Sequence, residues 1–402
     1  MRLLITGICG FAGSTIAREL LAHQPGLTII GLDSLIRRGS ETNVEPLRAL
    51  GIDVRIGDIR DRATIEALPA VDWIIDCAAN PSVLAGVDGR TSSQDLLDHN
   101  LAGTIHLLEH CRRHGAGFIL LSTSRVYSIE PLADLQVTVD DRAYTPILPP
   151  SAASDLPSSF NFHHSALNIV ASDCLSTSGL RENFPTDPPI SLYGASKKCS
   201  ELLAHEYSST FGFPAWINRC GVLAGAGQFG KADQGIFSYW IHSWAQKKPL
   251  KYIGFDGHGH QVRDCLHPRD LVPLLAKQMY TTHLGASSLP SAAPCPGAAK
   301  NPLPSSSIGG SYSPSSPILN LSGGIASAMS LRQLSDWCAD KFGPHHVESD
   351  LTPRPFDIPW IVLDSSAAKA AWDWTPLTPR DKILEEIADH AKKNPKWLDM
   401  VT

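Results

Sequence analysis

Three short clusters in this sequence hold side chains that can do chemistry together. Tyr193-Gly194-Ala195-Ser196-Lys197 places a phenol and an ammonium four residues apart. Four residues are about one helical turn, so both groups project from one face. A neighbouring cation favours the phenolate, so Lys197 is expected to lower the Tyr193 pKa and leave a base that can take a proton from a hydroxyl as the adjoining carbon loses hydride. With eight tyrosines in the chain such a pair also arises by chance, and its place after five strand-helix units is what gives it weight. Leu121-Ser122-Thr123-Ser124-Arg125-Val126-Tyr127 closes the fifth of those apolar runs, where a hydroxyl can hydrogen-bond the oxygen that Tyr193 deprotonates. Alone, that segment reads as an ordinary Ser/Thr strand end.

The third cluster, Gly7-Ile8-Cys9-Gly10-Phe11-Ala12-Gly13, lies between the first apolar run and a helical pattern from Ser14 to His23. Glycines at that spacing allow a tight turn and bring backbone N–H groups and a helix N-terminus up to a pyrophosphate. The next run ends at Asp33, twenty residues beyond Gly13, where a carboxylate can accept from adenosine ribose hydroxyls and repel a 2′-phosphate. NAD is therefore expected over NADP, although Arg37 and Arg38 are placed to pair with such a phosphate. Asp58 and Ala78-Ala79 follow the third and fourth runs, at the carboxyl ends of parallel strands where ligands bind.

The elements that must position these groups are legible as short apolar runs, Leu3 to Thr6, Thr28 to Leu32, Val54 to Ile56, Trp73 to Cys77 and Phe118 to Ser122, alternating with helical patterns. That alternation predicts an α/β fold, a Rossmann-type doubly wound parallel sheet with a smaller C-terminal α/β substrate lobe. Leu97, Leu101, Ile105 and Leu108 mark one face of a helix over Gln94 to His114, and another helix is expected from about Ala195 to Phe211. Later come a helix over Leu271 to Tyr280, a strand over Ile318 to Leu321, a capping box at Ser330-Leu331-Arg332-Gln333 opening a helix toward Phe342, and a helix over Pro379 to Lys393. The expected division is a dinucleotide domain over 1–220, rejoined by 261–282, and a substrate lobe from 221–260 and 318–402. Residues 283–317, rich in Ser, Pro, Ala and Gly, read as a surface insertion. Leu135 to Ile190 is also Pro/Ser-rich but carries Phe160, Phe162 and Ile169, and reads equally as a lid or a surface loop.

Composition narrows the class. With 402 residues, 43% hydrophobic and 18% charged, the chain is an ordinary globular protein, and a net charge of -6 gives no footprint for nucleic acid. The nine cysteines are scattered, odd in number and free of any Cys-x-x-Cys pair, so a reducing cytoplasm is expected. No basic leader and no run of about 18 apolar residues is present, so neither export nor a membrane span is expected. His163-His164 and His345-His346 have no partners at metal-ligand spacing, and no metal site is expected.

Taken together, the three clusters resemble the extended short-chain dehydrogenase/reductase superfamily, in its NAD-dependent epimerase/dehydratase group, over most of the chain apart from the two Pro/Ser-rich segments. The resemblance implies Thr123, Tyr193 and Lys197 as the catalytic trio. It implies NAD held by Gly7, Gly10, Phe11, Ala12, Gly13, Asp33, Ser34, Arg37, Asp58, Ile59, Ala78, Ala79, Asn100 and Ser122 together with Tyr193 and Lys197. It further implies a nucleotide-diphosphate sugar in the C-terminal lobe and a homodimer or higher homo-oligomer formed through the two long helices.

Residues after the threonine sharpen this. The 4,6-dehydratases of the group carry Asp-Glu there and its decarboxylases a glutamate, whereas this chain has Ser124 and Arg125. A basic residue at that place is similar to the CDP-paratose 2-epimerases. So are Gln228-Phe229-Gly230 with Asp233-Gln234-Gly235, Gln261-Val262-Arg263-Asp264 with Leu266-His267, and Arg37 in the ribose segment; Ser128 departs from the usual glycine. Arg125, Asn218, Gln234, Arg263 and Arg354 are the implied substrate contacts, although Arg263 is also placed to pair with Asp264 or Asp270. A UDP-hexose 4-epimerase, a nucleotide-sugar dehydrogenase or reductase, and a non-catalytic cofactor-binding protein are the alternatives.

Overall fold

The computed structural model describes residues 1–89, 91–148, 174–281 and 318–401. Its first strands are apolar on both faces: Leu3, Leu4 and Ile5 are all fully buried, as are Ile74 and Ile75. Strands of that kind are stable only with helices over both sides of a parallel sheet. Seven strands form it, β1 (Arg2–Thr6), β2 (Thr28–Asp33), β3 (Asp53–Ile56), β4 (Trp73–Asp76), β5 (Gly117–Thr123), β6 (Ala215–Cys220) and β7 (Ile318–Leu321), in the order β7-β6-β5-β4-β1-β2-β3. All pairs are parallel, with Ile5 beside Gly31 on one side and Ile75 on the other, and Cys220 beside Thr123 and Leu321. The order reverses between β1 and β4, which opens a crevice at the strands' carboxyl ends. β7 belongs to this sheet, so the expected assignment of 318–321 to the substrate lobe is corrected: Leu319 and Leu321 are buried in the sheet's own core with Trp216 and Cys220.

Helix α1 (Phe11–His23) starts directly at the Gly10 N-cap and buries Ile16, Ala17 and Leu20 on the sheet. The long 94–114 pattern forms as three joined pieces, Ser93–Leu97, a π-turn Asp98–Ala102 and α2 (Gly103–His114). The buried side is Leu96, Asn100, Thr104, Leu107 and Cys111, whereas Leu97, Leu101 and Ile105 stay partly exposed. The extra residue of the π-turn rotates the stripe relative to a regular helix. Helix α3 (Ser191–Phe211) begins four residues earlier than expected, so Tyr193 sits in its first turn.

The expected return of 261–266 to the dinucleotide domain is corrected: Val262–Leu266 is the strand on which the second lobe is built, pairing in parallel with Val222–Leu223 and Trp360–Ile361 and antiparallel with Ala328–Ser330. Three helices, α4 (Ile236–Ala245), α5 (Leu331–Phe342) and α6 (Arg380–Lys393), close around Trp240, Ile241, Trp244, Leu334, Ile383 and Ile387. The expected capping box is formed: Ser330 Oγ accepts from the Gln333 amide and the Gln333 side chain accepts from the Ser330 amide. Of the 135–190 stretch, the described ends are two hairpins, Val137–Asp140 with Ala143–Pro146 and Leu175–Ser176 with Gly179–Leu180. Their Leu175, Leu180 and neighbouring Phe184 pack on Val262, Ile358 and Trp360, so the roots of this stretch are part of the lobe's core. Phe160, Phe162, Ile169, His163-His164 and the 283–317 segment lie outside the described residues. No described helix is long and apolar enough to cross a membrane.

One buried polar assembly joins the elements under the crevice. Arg219 on β6 donates to Glu201 on α3 through Nε at 2.9 Å and Nη2 at 2.7 Å, with both side chains no more than 2% exposed. Ser122 Oγ on β5 donates to the same carboxylate at 2.6 Å. Arg219 Nη1 donates to Tyr127 Oη and the Glu182 carbonyl, and Tyr127 Oη donates to Asn320 on β7 at 2.6 Å. Burial alone would raise the Glu201 carboxyl, but the Arg219 guanidinium and its hydrogen bonds hold it below the ordinary range. Removing one partner strands the other charge in a dry interior, which costs about 3–5 kcal/mol. Glu201→Ala should therefore lose about that much stability in urea unfolding; a loss below about 1 kcal/mol, typical of exposed pairs, would show that the assembly contributes little.

Candidate active site

The crevice is a cleft of about 770 Å³ between the two lobes, lined from Gly7 at one end to Arg354 at the other. At the first end, the turn after β1 is possible only with glycine. Gly7 has φ +60°, and a Cβ there would lie 2.9 Å from the Cα of Ala78. A Cβ on Gly13 would overlap the carbonyl oxygen of Gly7. The Gly10 amide donates to that carbonyl at 3.0 Å, which draws the turn tight and leaves the N-terminus of α1 facing the cleft. This cradle fits a pyrophosphate, whose charge is favoured at that end of the helix dipole.

Asp33 terminates β2 beside the cradle. Its Oδ2 accepts from the Cys9 amide at 2.8 Å and its Oδ1 from the Leu35 amide at 2.9 Å. Burial raises this carboxyl above its ordinary value, against the amides of Leu35, Cys9 and Gly10 that lower it. Cys9, wedged against the same group, has its thiol pushed up to about 12 by burial and by the Asp33 charge. Arg37 does not turn toward a 2′-phosphate. Its guanidinium crosses the cleft to Gln234 Oε1 at 2.9 Å and to the Phe229 carbonyl. Asp233 accepts from Ser82 Oγ at 2.8 Å, so the 228–235 loop is tied to both rims of the cleft. Ser34, Asp58, Ile59, Ala78 and Ala79 also line the dinucleotide end, with Asp58 paired to Arg60 at 2.7 Å. Burial opposes the Asp58 charge, but the Arg60 bonds hold its carboxyl below the ordinary value.

At the other end the expected trio converges. Thr123, Tyr193 and Lys197 all line the cleft, the first from the end of β5 and the others from the first two turns of α3. Thr123 acts on the Tyr193 phenol from across the cleft and lowers it, and its Oγ1 accepts from the Arg125 amide at 3.2 Å. The expected electrostatics of the pair is corrected. Burial raises the Tyr193 phenol above its ordinary value, opposed by the Thr123 hydroxyl and the Arg125 charge and not by Lys197. Lys197 is itself depressed by burial, opposed by the charges of Asp76 and Glu201. Asp76 is fixed in turn by hydroxyl donors, Thr6 Oγ1 at 2.7 Å and Thr104 Oγ1 at 3.1 Å.

Two expected contacts lie behind the wall. Asn100 is buried in the π-turn, accepting from the Asn80 amide at 2.8 Å and donating to the Asn80 carbonyl and Ser196 Oγ at 3.1 Å, so it holds the loop after β4 against α3. Asn218 points to the opposite side of β6, where its amide exchanges two 3.0 Å hydrogen bonds with Gln278. Strand alternation is the reason: along β6, neighbouring side chains face opposite sides of the sheet. Ser122 lines the cleft but spends its hydroxyl on Glu201.

Arg125, Gln234, Arg263 and Arg354 do line the cleft. Arg263 is held by Asp357 at 3.1 Å and by the Val262 and Ile358 carbonyls, a fixing different from the Asp264 or Asp270 pair considered from sequence. Asp264 is instead buried against Ser322, and burial pushes its carboxyl up to about 6. Several contributors escaped the sequence reading. Glu201 lies one turn beyond Lys197 on the same helical face, a spacing that marks it. Asp357 sits inside the quoted Arg354-Pro355-Phe356-Asp357, and Asp76 closes the fourth apolar run. Among the described residues, no group of three His, Cys, Asp or Glu side chains could hold a metal ion.

The cradle supplies a direct test. Gly13→Ala should weaken dinucleotide binding by at least about tenfold, since a clash with the Gly7 carbonyl must displace the turn that faces the pyrophosphate. Isothermal titration with NAD reads this, and unchanged affinity would mean that the ligand is held elsewhere.

Comparison with known proteins agrees with this geometry. The NAD dependent epimerase/dehydratase family matches residues 3–152 and 170–283. CDP-paratose 2-epimerase of Salmonella typhi is 27% identical over 97% of this chain and 98% of its own length. A dTDP-glucose 4,6-dehydratase of Mycobacterium tuberculosis is 33% identical over 67% of this chain and 66% of its own. The UDP-glucuronic acid 4-epimerase of Bacillus cereus, solved with UDP-glucuronic acid and NAD, shares the fold with a TM-score of 0.67 at 20% identity, covering 98% of this chain and 99% of its own. The glycine cradle at one end of the cleft, the phenol and hydroxyl at the other, and the extent of the match lead to one assignment: the chain belongs to the NAD dependent epimerase/dehydratase family and uses NAD.

Proposed function

We propose that this enzyme epimerises a nucleotide-activated sugar by transient oxidation, at C2 of a CDP-dideoxyhexose. Bound NAD supplies the acceptor and donor of hydride. The protein's part is proton transfer and positioning. Tyr193 takes the proton from the C2 hydroxyl and later returns one, while Thr123 holds the same oxygen and Lys197 the nicotinamide ribose. The resulting 2-keto sugar turns its other face to the cofactor before reduction. Gly7, Gly10, Gly13 and Asp33 hold the dinucleotide, and Arg263 and Arg354 hold the sugar's diphosphate, for which a guanidinium fork is suited.

A single observation carries the choice of epimerisation over water loss. Elimination needs a carboxyl group at the reacting sugar, and Ser124 and Arg125 occupy the turn where it would stand. Among the described acids of the cleft, Asp33 accepts two backbone amides, Asp58 pairs with Arg60, Asp233 accepts from Ser82 and Asp357 pairs with Arg263. None of these four lies in the turn that follows Thr123. The similarity to a CDP-paratose 2-epimerase along the whole chain supports C2 as the carbon and CDP as the carrier. A cytoplasmic homodimer completes the reading. The dimer is supported by partly exposed Leu101 in the π-turn and Ile105 on α2 and exposed Leu202 on α3, apolar surface that a second copy would cover.

A panel of CDP- and UDP-sugars followed by product NMR tests the reading. Inversion at C2 of a CDP-sugar, without net change in nicotinamide absorbance, is expected. Preferred inversion of a UDP-hexose at C4, or steady accumulation of reduced cofactor, would overturn it. Tyr193→Phe should lower turnover by about a hundredfold or more while leaving NAD bound; undiminished turnover would remove Tyr193 from the chemistry.

A further inference from the structure

The 228–235 segment crosses the cleft at the level of the glycine turn. Asp233 accepts from Ser82 Oγ at 2.8 Å, and its neighbour Gln234 accepts from Arg37 Nη1 at 2.9 Å. Ser82 lies in the segment after β4 and Arg37 in the segment after β2, the two strands that flank β1 in the sheet. Two successive residues of one loop therefore reach both neighbours of β1, so the loop straddles the carboxyl end of the strand from which the glycine turn emerges. Gly7, Gly10, Gly13, Arg37, Asp233 and Gln234 line the same cleft. A second bond from Arg37, to the Phe229 carbonyl, ties down the near end of this strap.

The strap is fastened in turn by helix α7 (Trp397–Val401), whose described residues do not line the cleft. Trp397 Nε1 donates to the Gln228 carbonyl at 2.9 Å, and the Trp397 ring stacks on Phe229 with centroids 5.7 Å apart and planes 22° from parallel. His390 on α6 meets the same indole edge to face, with centroids 4.7 Å apart. Phe229, Leu398 and Val401 form a small buried cluster, none of them more than 5% exposed. Helix α7 also reaches the segment that carries Arg37: a Cβ on Gly39 would lie 2.7 Å from Val401 Cγ1 and 3.1 Å from the Phe229 ring. Both partners of the Arg37 bridge, the segment after β2 and the Phe229 backbone, thus rest on one short helix.

We propose that Trp397 is a positioning residue: through Phe229 it holds the 228–235 strap across the dinucleotide and so sets how slowly the cofactor leaves. The inference deepens the proposed epimerisation and rests on the dinucleotide lying in the glycine cradle. A ligand seated there leaves when the strap parts from Ser82 and Arg37. That is a local opening, and its free energy is set by the contacts it breaks. At the root of the strap those contacts are the indole hydrogen bond and the aromatic stack, both made by a helix outside the cleft. A dehydrogenase must exchange its cofactor at every turnover, and a strap fastened from behind would slow it. An enzyme that regenerates its cofactor at every turnover has no such need, and the strap keeps the oxidised and reduced forms in place.

Cofactor release decides this, because it is read without any sugar. Protein loaded with NADH is chased with excess NAD, and the loss of bound-NADH fluorescence gives the release rate. Trp397→Leu should raise that rate by about tenfold or more, and Trp397→Phe, which keeps a ring to stack and loses only the N–H, by about threefold. The phenylalanine variant decides the matter should the leucine one not fold. Trp244→Leu controls for general loosening: this indole is buried in the core of the same lobe, bonded to the Gly343 carbonyl and absent from the cleft. Release from it should stay within about twofold of that from the unmodified protein. Unchanged release in the Trp397 variants overturns the inference, as does a Trp244→Leu variant that releases cofactor as fast as Trp397→Leu. The cradle reading fails separately. Unchanged affinity in Gly13→Ala would remove the dinucleotide from the turn, whereas weakened binding there with unchanged release in the Trp397 variants would remove only the role of Trp397.

Discussion

The Arg219 guanidinium and the Glu201 carboxylate meet in a region closed to water beneath the carboxyl ends of β5 and β6. Such a pair gains little over an apolar core of equal volume, but once present its geometry is exacting, because any displacement leaves a buried charge unpaired. Through Ser122 it fixes the end of β5, and through Glu201 it fixes α3 two turns beyond Tyr193. Thr123 follows Ser122 directly and, by strand alternation, faces the cleft where Ser122 faces the pair. The distance between hydroxyl and phenol is thus determined from below, by charges that never touch a ligand.

The cleft above is divided by charge. At the dinucleotide end the anion is met by backbone amides and a helix terminus, with glycines removing every Cβ that would intrude. At the sugar end it is met by guanidinium groups, Arg125, Arg263 and Arg354, of which only Arg263 has a carboxylate bonded to it among the described residues. Arg37 links the two halves, running from the β2 side to Gln234 and the Phe229 carbonyl. Phe229 is also stacked on Trp397 and packed against Leu398 and Val401, so the 228–235 loop is clamped by the last helix of the chain. The proposed epimerisation, with no net redox change, requires a cofactor that stays bound between oxidation and reduction.

Much of this was legible in the sequence because local rules and global fold agree. Continuous apolar runs, the glycine triplet and the Ser330-Gln333 capping box each specify their geometry within a few residues, and all formed as expected. What was not legible depends on the third dimension. The π-turn at 98–102 rotates Asn100 away from the cleft, and no apolar spacing announces one extra residue in a turn. Asn218 and Arg219 are adjacent, and only the side of β6 that each faces separates a packing amide from the ion pair that organises the site. The tyrosine-lysine pair was legible, but Asp76, whose charge acts on Lys197, lies 121 residues away on β4.

In the proposed reaction hydride leaves and returns at one carbon while Tyr193 handles the proton on its oxygen. A substrate carrying deuterium at C2 tests this most directly. Turned over in ordinary water, it should give an inverted product that keeps the deuterium at C2, because the hydride never exchanges with solvent. Loss of that deuterium to water, with protium in its place, would mean inversion by removal and return of a carbon-bound proton, and would contradict the mechanism.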